Sequence, residues 1–374
     1  MIFTGGIQNV KRNGASIMSP EWRLLQDDIH EARHHFAVEE AIARLLDEGK
    51  SPSTLRLRRV YPAVFVGVHQ NTWAEVDVEY CRAHGIQIVR RMNGGGAVYH
   101  EMGSFCYSAF FPREFFPQSD TELYRLFANP IIRTCADYGI IAHFGGRNDV
   151  LVGERKIYGS AQFSCYRAFV QSGTFLVQMN FEAMERALKP PKVKFAGKTA
   201  QSIRERVTSL TQETRRAIDV SEVMDRFVTH FSEIFGIKLV PGTLSPEEEK
   251  LALDLFKVKY NTDAWNFGSP LQYQITVAER AEEGVVVVSA DIEGEKIQKI
   301  AITGDFLLGF RKPLEELELS LTDKSVSEAQ TLIQHSALPS GMRATLINLI
   351  HKIDREMKEV SSTRKQEDTH GQNC

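Results

Sequence analysis

Residues 90–100 read Arg90-Arg91-Met92-Asn93-Gly94-Gly95-Gly96-Ala97-Val98-Tyr99-His100, and they restrict the fold more tightly than any other stretch. The apolar run Ile86–Arg90 leads into the glycines, so the loop leaves a strand and enters a second one. Three consecutive residues without a Cβ let the backbone pass close to a ligand. Successive exposed N–H groups can cradle a phosphate there, and Arg91 adds a bidentate cation. A bare triple glycine reads equally well as a mobile turn. Two arginines ahead of it and His100 behind it favour a ligand loop, with His100 fixing the loop through a hydrogen bond.

The surrounding periodicities build an α/β framework. Glu31–Gly49 predicts a helix, with Val38, Ile42, Leu45 and Leu46 on one face. Ala63–Val68 predicts a buried strand, and Phe105, Tyr107, Ala109 and Phe111 alternate as a half-buried strand does. Gly173–Met179 alternates likewise, and Glu122–Tyr138 has helical spacing. At Gly242–Glu249 the composition shifts: Pro241-Gly242 makes a turn, and Ser245-Pro246-Glu247-Glu248-Glu249 carries a cap, a first-turn proline and first-turn acids. A domain boundary is expected there. Beyond it, Leu271–Val277, Gly284–Ala290 and Ile297–Ile302 predict strands, the last two paired through Glu293-Gly294. Two helices follow, the second over Ala344–Met357, which makes a small α+β unit. The expected division is an N-terminal extension 1–19, a large domain 20–240, a small domain 248–357 and a disordered tail 358–374.

Two further segments carry chemistry. Arg147-Asn148-Asp149-Val150 precedes Arg155-Lys156-Ile157-Tyr158-Gly159-Ser160-Ala161, and Gly153 between them predicts a hairpin. A lysine in a strand beside small residues can place its ammonium on an anion while the small residues leave room for a substrate tail. Read alone, Lys156 is better explained as a solvated hairpin cation. Gly197-Lys198-Thr199 invites a phosphate-loop reading, but the full GxxxxGK[ST] spacing is missing upstream. Lys198 instead suits a loop that closes over a nucleotide.

Forty-five Lys and Arg stand against 48 Asp and Glu, a net charge of −3, which disfavours a general nucleic-acid binder. The five cysteines, Cys81, Cys106, Cys135, Cys165 and Cys374, are widely spaced with no CxxC pair. That points to reduced thiols and a cytoplasmic protein rather than a disulfide or zinc framework. No apolar run reaches membrane-spanning length, the first residues lack a secretory apolar block, and Met18 is an alternative start.

Taken in order, these segments resemble the lipoate-protein ligase A family of the biotin/lipoate ligase superfamily. The resemblance spans almost the whole chain: Phe36-Ala37-Val38-Glu39-Glu40, Gly67-Val68-His69-Gln70-Asn71-Thr72-Trp73, the RRxxGGGxVxHxxG pattern of Arg90–Gly103, RND…KxxGSA at Arg147–Ala161, Gly173-Thr174, Lys198 with Ser202–Val207, and Trp265-Asn266-Phe267-Gly268. It implies an α/β (α+β) catalytic domain whose mixed, mostly antiparallel sheet is flanked by helices, with a small C-terminal accessory domain. It also implies a two-step acylation. Lipoate and ATP give lipoyl-AMP and pyrophosphate; an acceptor lysine amine then takes the acyl group and releases AMP. The acceptors would be apo lipoyl domains of 2-oxoacid dehydrogenases or a glycine-cleavage carrier protein.

On that resemblance Lys156 lies between the carboxylate and the α-phosphate, and Arg91 with the backbone of Gly96, Ala97, Val98 and Tyr99 holds the nucleotide. Gly95, Gly159 and Ala161 border the lipoyl tunnel. Asn148 and Asp149 share the site, Asp149 serving Mg²⁺ or the acceptor amine. The Lys192–Ser202 loop, with Lys198, is expected to order on adenylate formation. Many relatives carry His where Ser172 stands and Leu where Phe175 stands, departures that bear on tunnel shape or acceptor choice.

Three rival readings fit the residues less well. An octanoyl- or lipoyltransferase of the same fold uses a cysteine near Asn148-Asp149, but no cysteine lies between Cys135 and Cys165, and both read as packing residues. A biotin ligase would show a GRGR-type loop. A catalytically dead binding module would not keep Arg91, Asn148, Asp149, Lys156 and Lys198. The His34-His35, Glu31, Glu39 and Glu40 group reads as a solvated helix face rather than a metal site, and Trp73 and Trp265 as loop anchors.

Overall fold

The computed structural model describes residues 20–371, except 166, 190–202, 269–272, 283, 295 and 308–310. The expected extension 1–19 and the Lys192–Ser202 loop, Lys198 included, therefore lie outside the described residues. Among the described residues, eleven strands build the large unit: β1 (Glu21–Gln26), β2 (Thr54–Arg58), β3 (Ala63–Val66), β4 (Gln87–Arg90), β5 (Val98–His100), β6 (Phe105–Pro112), β7 (His143–Gly145), β8 (Asp149–Val152), β9 (Arg155–Cys165), β10 (Ala168–Phe175) and β11 (Lys238–Gly242).

Eight of them form one sheet in the order β11-β1-β2-β6-β10-β9-β8-β7. Pairing is parallel at β11-β1-β2 and antiparallel from β2 to β7, so the sheet is mixed and mostly antiparallel as expected. A second sheet, β4-β3-β5, carries the glycine loop between its outer strands. Helix α1 (Ala32–Asp47) covers one face of the large sheet, and the helices Asp120–Asp137 and Val220–Phe235 cover the other. Aromatic residues fill that second core, where Phe111, Phe116, Phe127, Phe231 and Phe235 pack edge to face and tilted.

The expected boundary at 240–248 does not mark a change of packing. Ser245 does cap a helix, Pro246–Leu255, through a reciprocal bond with Glu248. That helix lies on α1, with Ala252, Leu255 and Tyr260 inside the same core as Phe36, Ala37 and Ile42. Glu248 is buried and bonds bidentately to Arg23 of β1 at 2.7 Å on both oxygens. Residues 246–267 therefore finish the large unit. The small unit begins with β12 (Ile275–Ala281), which pairs with β13 (Gly284–Glu293), itself paired with β14 (Lys296–Gly304). Three helices close its core, Lys312–Leu321, Val326–Gln334 and one starting at Ser340. The last helix corrects the expected tail from 358: it runs on to Gly371. Lys358, Glu359, Arg364, Lys365, Gln366 and Glu367 are helix formers, and no glycine or proline intervenes before Gly371.

Candidate active site

The β8–β9 hairpin turns at Gly153, whose φ of +57° suits a residue without a Cβ. It brings Lys156 Nζ to 2.7 Å from Asp149 Oδ1, close in distance but off the hydrogen-bonding direction. Both side chains keep about a third of their surface in solvent. Gly159 sits opposite Asp149, and a Cβ there would fall 2.3 Å from Lys156 Nζ. The expected reason for small residues was room for a substrate tail; at position 159 the room is needed by the lysine itself. Asn148 locks the hairpin entry to the Gly-Ser-Ala run. Its carbonyl accepts from Ser160 N at 3.0 Å and Ser160 Oγ at 2.9 Å, and its amide donates to the Ser160 carbonyl.

The glycine loop is held from beneath. Arg91 is buried and donates to the carbonyls of Phe65 (2.8 Å), Gly94 (2.7 Å) and Gly96 (2.9 Å), while burial lowers its pKa to about 10. It shapes the loop's backbone and still lines the cavity described below. Arg90 acts as a clamp, reaching the carbonyls of Trp265, Gly67 and Gln70 and the Thr72 hydroxyl. Gly67 is required because a Cβ there would lie 2.0 Å from the Gly95 carbonyl oxygen. The N–H groups of Gly96 and Ala97 have no hydrogen-bond partner among the described residues, which leaves them available to an anion. Gly95, at φ +91°, donates to the Phe306 carbonyl of the small unit at 3.3 Å.

Hairpin and loop open on one cavity with about 720 Å³ of empty space, part of it continuous with solvent. Of the expected site residues, Arg91, Gly95, Gly96, Val98, Asn148, Lys156, Gly159 and Ala161 line it. Asp149 meets it through Lys156. Tyr99 faces away into an apolar cluster with Val64 and Ile88, and Ala97 packs against that cluster. His100 does not hold the loop as expected. Its ring stacks on Phe65, 3.9 Å between centroids, and its Nδ1 lies 3.4 Å from Cys106 Sγ. Burial, with the nearby Arg91 and Arg58, lowers its pKa to about 3, so it is neutral.

The cavity's other end was not anticipated. Glu39 and Arg58 line it, both almost fully buried and paired at 3.1 Å, with Ser172 Oγ 3.2 Å from Glu39 Oε1. His35 accepts from Arg58 Nε at 3.0 Å, and burial, followed by the charges of Arg58 and Arg56, holds its pKa well below the usual range. The expected solvated face is thus corrected: His35, Glu39 and Glu40 are buried. Helix α1 is covered on nearly every side, and its carboxylates find partners in Arg58, Arg44 and Lys259. The available signal lay in β2, where Arg56 and Arg58 alternate with Leu55 and Leu57: two buried faces, one of them charged. No cluster of three or more His, Cys, Asp or Glu suited to a metal occurs among the described residues.

Fold and site define an α/β domain with a cation-bearing hairpin and a glycine loop on one partly open cavity. Residues 31–232 match the model of the lipoyl protein ligase A/B catalytic domain, and 270–333 that of the bacterial lipoate protein ligase C-terminus. Lipoate–protein ligase 1 of Staphylococcus aureus is 30% identical, over 76% of this chain and 84% of its own length. Octanoyltransferase LipM of Symbiobacterium thermophilum is also 30% identical, over 67% of this chain and 99% of its own. Among solved structures, a bi-partite lipoate protein ligase from Thermoplasma acidophilum, described with its E2 lipoyl domain, superposes with a TM-score of 0.59 at 32% identity. It covers 68% of this chain and all of its own. A lipoate-protein ligase A bound with ATP gives 0.59 at 29% identity, covering 66% of this chain and 99% of its own. The chain belongs to the lipoate-protein ligase A family. Its match to a C-terminal model that begins at residue 270 agrees with the packing boundary after Phe267.

Proposed function

We propose that this protein joins lipoate to a lysine of an apo lipoyl domain in two steps, with ATP as the activating substrate. The observation that carries the reading is the part-exposed Lys156 ammonium beside Asp149, on the same cavity as Gly96 of the glycine loop, whose N–H has no partner among the described residues. The first step brings a carboxylate onto the α-phosphorus, two anions together, and breaks the bond to pyrophosphate. A fixed cation and oriented donors offset that repulsion and stabilise the charge that grows on the phosphoryl oxygens. In the second step the acceptor amine attacks the acyl carbonyl and AMP leaves. Asp149, at the cavity mouth and partly solvated, is suited to take the amine's proton or to hold a divalent cation. Mg²⁺ is bound through one or two carboxylates, phosphate oxygens and water, so one carboxylate suffices. When bound, Mg²⁺ would neutralise phosphate charge. The T. acidophilum ligase described with its E2 lipoyl domain supports a lipoyl domain as acceptor.

The rival transferase, represented among the relatives by LipM, needs a thiolate at the mouth. Among the described residues only Cys106 of the cysteines lines the cavity, and it sits on β6, away from the hairpin. Burial raises its pKa, that of Cys165, that of Cys81 to about 11 and that of Cys135 to about 12, and a thiol raised in this way is a poor nucleophile. Intact-mass spectrometry of an apo lipoyl domain separates the two. A lipoyl gain that needs ATP and releases AMP supports the ligase. A gain only from an octanoyl carrier protein, without ATP, overturns it.

A further inference from the structure

Lys156 sits where β9 changes partners. β10 pairs with β9 only as far as Phe175, opposite Tyr158, so that strand leaves the edge beside Lys156 open. Val207 fills it as a parallel partner of Lys156, and Thr208 N donates to the Lys156 carbonyl at 2.8 Å. These two residues join the short helices Ile203–Arg206 and Leu210–Thr214. On its other side Lys156 pairs with Leu151 of β8. The main chain under the cation is therefore held from both edges.

One carboxylate ties this arrangement together. Thr208 is fully buried, and its hydroxyl donates to Glu213 Oε1. Arg155, the residue before the lysine, reaches the same oxygen at 2.8 Å, and Glu213 keeps only 13% of its side chain exposed. A ring closes: the Lys156 carbonyl to Thr208 N–H, the Thr208 hydroxyl to Glu213, Glu213 to the Arg155 guanidinium, and Arg155 back to the peptide of Lys156. The ammonium itself has no comparable support. Its flexible stem ends beside Asp149, both side chains keep contact with solvent, and an ion pair that open is weak. The place of Nζ is set from the main chain upward.

We infer that Glu213 is a positioning residue: through Arg155 and Thr208 it fixes the main chain of Lys156 and so sets where the ammonium stands on the cavity. The assignment rests on the reading of Lys156 as the cation of the adenylation step. A group displaced by about 1 Å from its working place costs about 100-fold in rate, and a strand loosened on one edge moves its side chain by part of that. The expected effect of losing Glu213 is therefore a fall of about tenfold in kcat. KM for lipoate should stay within about twofold, because Glu213 touches Arg155 and Thr208 and does not line the cavity.

A double-mutant cycle on lipoate-dependent pyrophosphate release, with the full chain, separates positioning from mere support of the fold. Glu213→Ala should lower kcat about tenfold. Glu213→Gln keeps an oxygen that accepts from both donors and should recover most of the loss. In a Lys156→Ala background, Glu213→Ala should cost less than twofold more, because no ammonium is left to place. A residue that only supports the fold would cost the same tenfold in both backgrounds, and that result, or an unchanged kcat for Glu213→Ala, overturns the assignment. Where circular dichroism shows Glu213→Ala unfolded, Thr208→Val, which removes the hydroxyl at similar volume, runs the same cycle with an expected fall of about threefold. A wild-type rate from Lys156→Ala sinks the adenylation reading and this assignment together. A wild-type protein that releases no pyrophosphate sinks the ligase reading alone, and acetylation of Lys156 by acetic anhydride, followed by peptide mass spectrometry, then decides. An amine freed from its carboxylate loses its proton more readily, so Lys156 should react severalfold faster in Glu213→Ala, and an unchanged rate overturns the assignment.

Discussion

A methyl group at position 159 would lie 2.3 Å from the Lys156 ammonium and 3.3 Å from Asp149 Oδ1, so Gly159→Ala must push the cation off the cavity mouth. Lys156→Ala removes it altogether. Loss of a transition-state charge partner costs about 100- to 1000-fold in rate, and that is the expected fall in lipoate-dependent pyrophosphate release for Lys156→Ala. Gly159→Ala should fall at least about tenfold with an unchanged circular dichroism spectrum. Release near the wild-type rate from either variant would remove the hairpin cation from the mechanism. These positions were legible because a lysine inside a strand next to small residues is unusual. Glu39 was not: on a helix with apolar neighbours a glutamate looks solvated, and only the arginines of β2, far off in sequence, show otherwise. The buried histidines bring a pH dependence. His100 has a folded pKa of about 3 against about 6.5 unfolded, and His35 is shifted in the same direction. Below about 6.5 the unfolded chain binds protons that the folded chain refuses, so stability is full above that pH and declines as pH falls toward 3. From pH 7.5 to 5.0, His100→Phe should lose roughly 2 kcal/mol less than the wild type, at about 1.4 kcal/mol per pH unit for one group. Urea midpoints at the two pH values measure this, and parallel losses would count against a neutral His100.

The segment 246–267 shows what an element's own sequence can and cannot disclose. Its start was legible from the Ser245 cap and Pro246, because caps are local chemistry. Its allegiance was not, because nothing local says which core receives Leu255 and Tyr260. The segment braces the glycine loop. Asn266 is fully buried; its Oδ1 accepts from Arg90 N at 3.0 Å, and its amide donates to the carbonyls of Tyr260 and Thr262. Trp265 Nε1 donates to the Arg90 carbonyl at 2.9 Å, so the expected anchoring role of Trp265 has a partner. Lys259 pairs with Glu40 at 2.7 Å and stands 4.0 Å over the Trp265 ring. Asn266→Ala strands the Arg90 N–H and the Tyr260 carbonyl in the interior, while the Thr262 carbonyl keeps the backbone bond from residue 266. The expected loss is about 1–3 kcal/mol, read from urea unfolding. A variant as stable as the wild type would show that the brace contributes nothing.

Across the whole molecule the two units meet at the loop that carries the chemistry. Gly304 N donates to the His69 carbonyl at 3.0 Å, the His69 and Phe306 rings stack at 4.7 Å, and the Phe306 carbonyl takes the Gly95 N–H. A second, smaller α+β unit was legible from the three strand-like runs and the helices after them. Where the first unit stops was not, since a turn and an acidic cap occur inside domains as readily as between them. Truncation tests the corrected boundary. A chain of residues 20–268 keeps Leu255, Tyr260 and the Arg23–Glu248 pair, and it should unfold cooperatively in urea. A chain of residues 20–244 uncovers the face of α1 occupied by Ala252, Leu255 and Tyr260 and removes the partner of the partly buried Arg23. Each large apolar side chain returned to water costs about 1.5–3 kcal/mol. Two of them with the broken ion pair approach the 5–15 kcal/mol that separates a typical domain from its unfolded state. The shorter chain should therefore aggregate or lose its cooperative transition. If it unfolds with the same midpoint as the longer one, residues 246–267 are an appendage of the small unit after all, and the brace on the glycine loop is a contact between two units rather than part of one core.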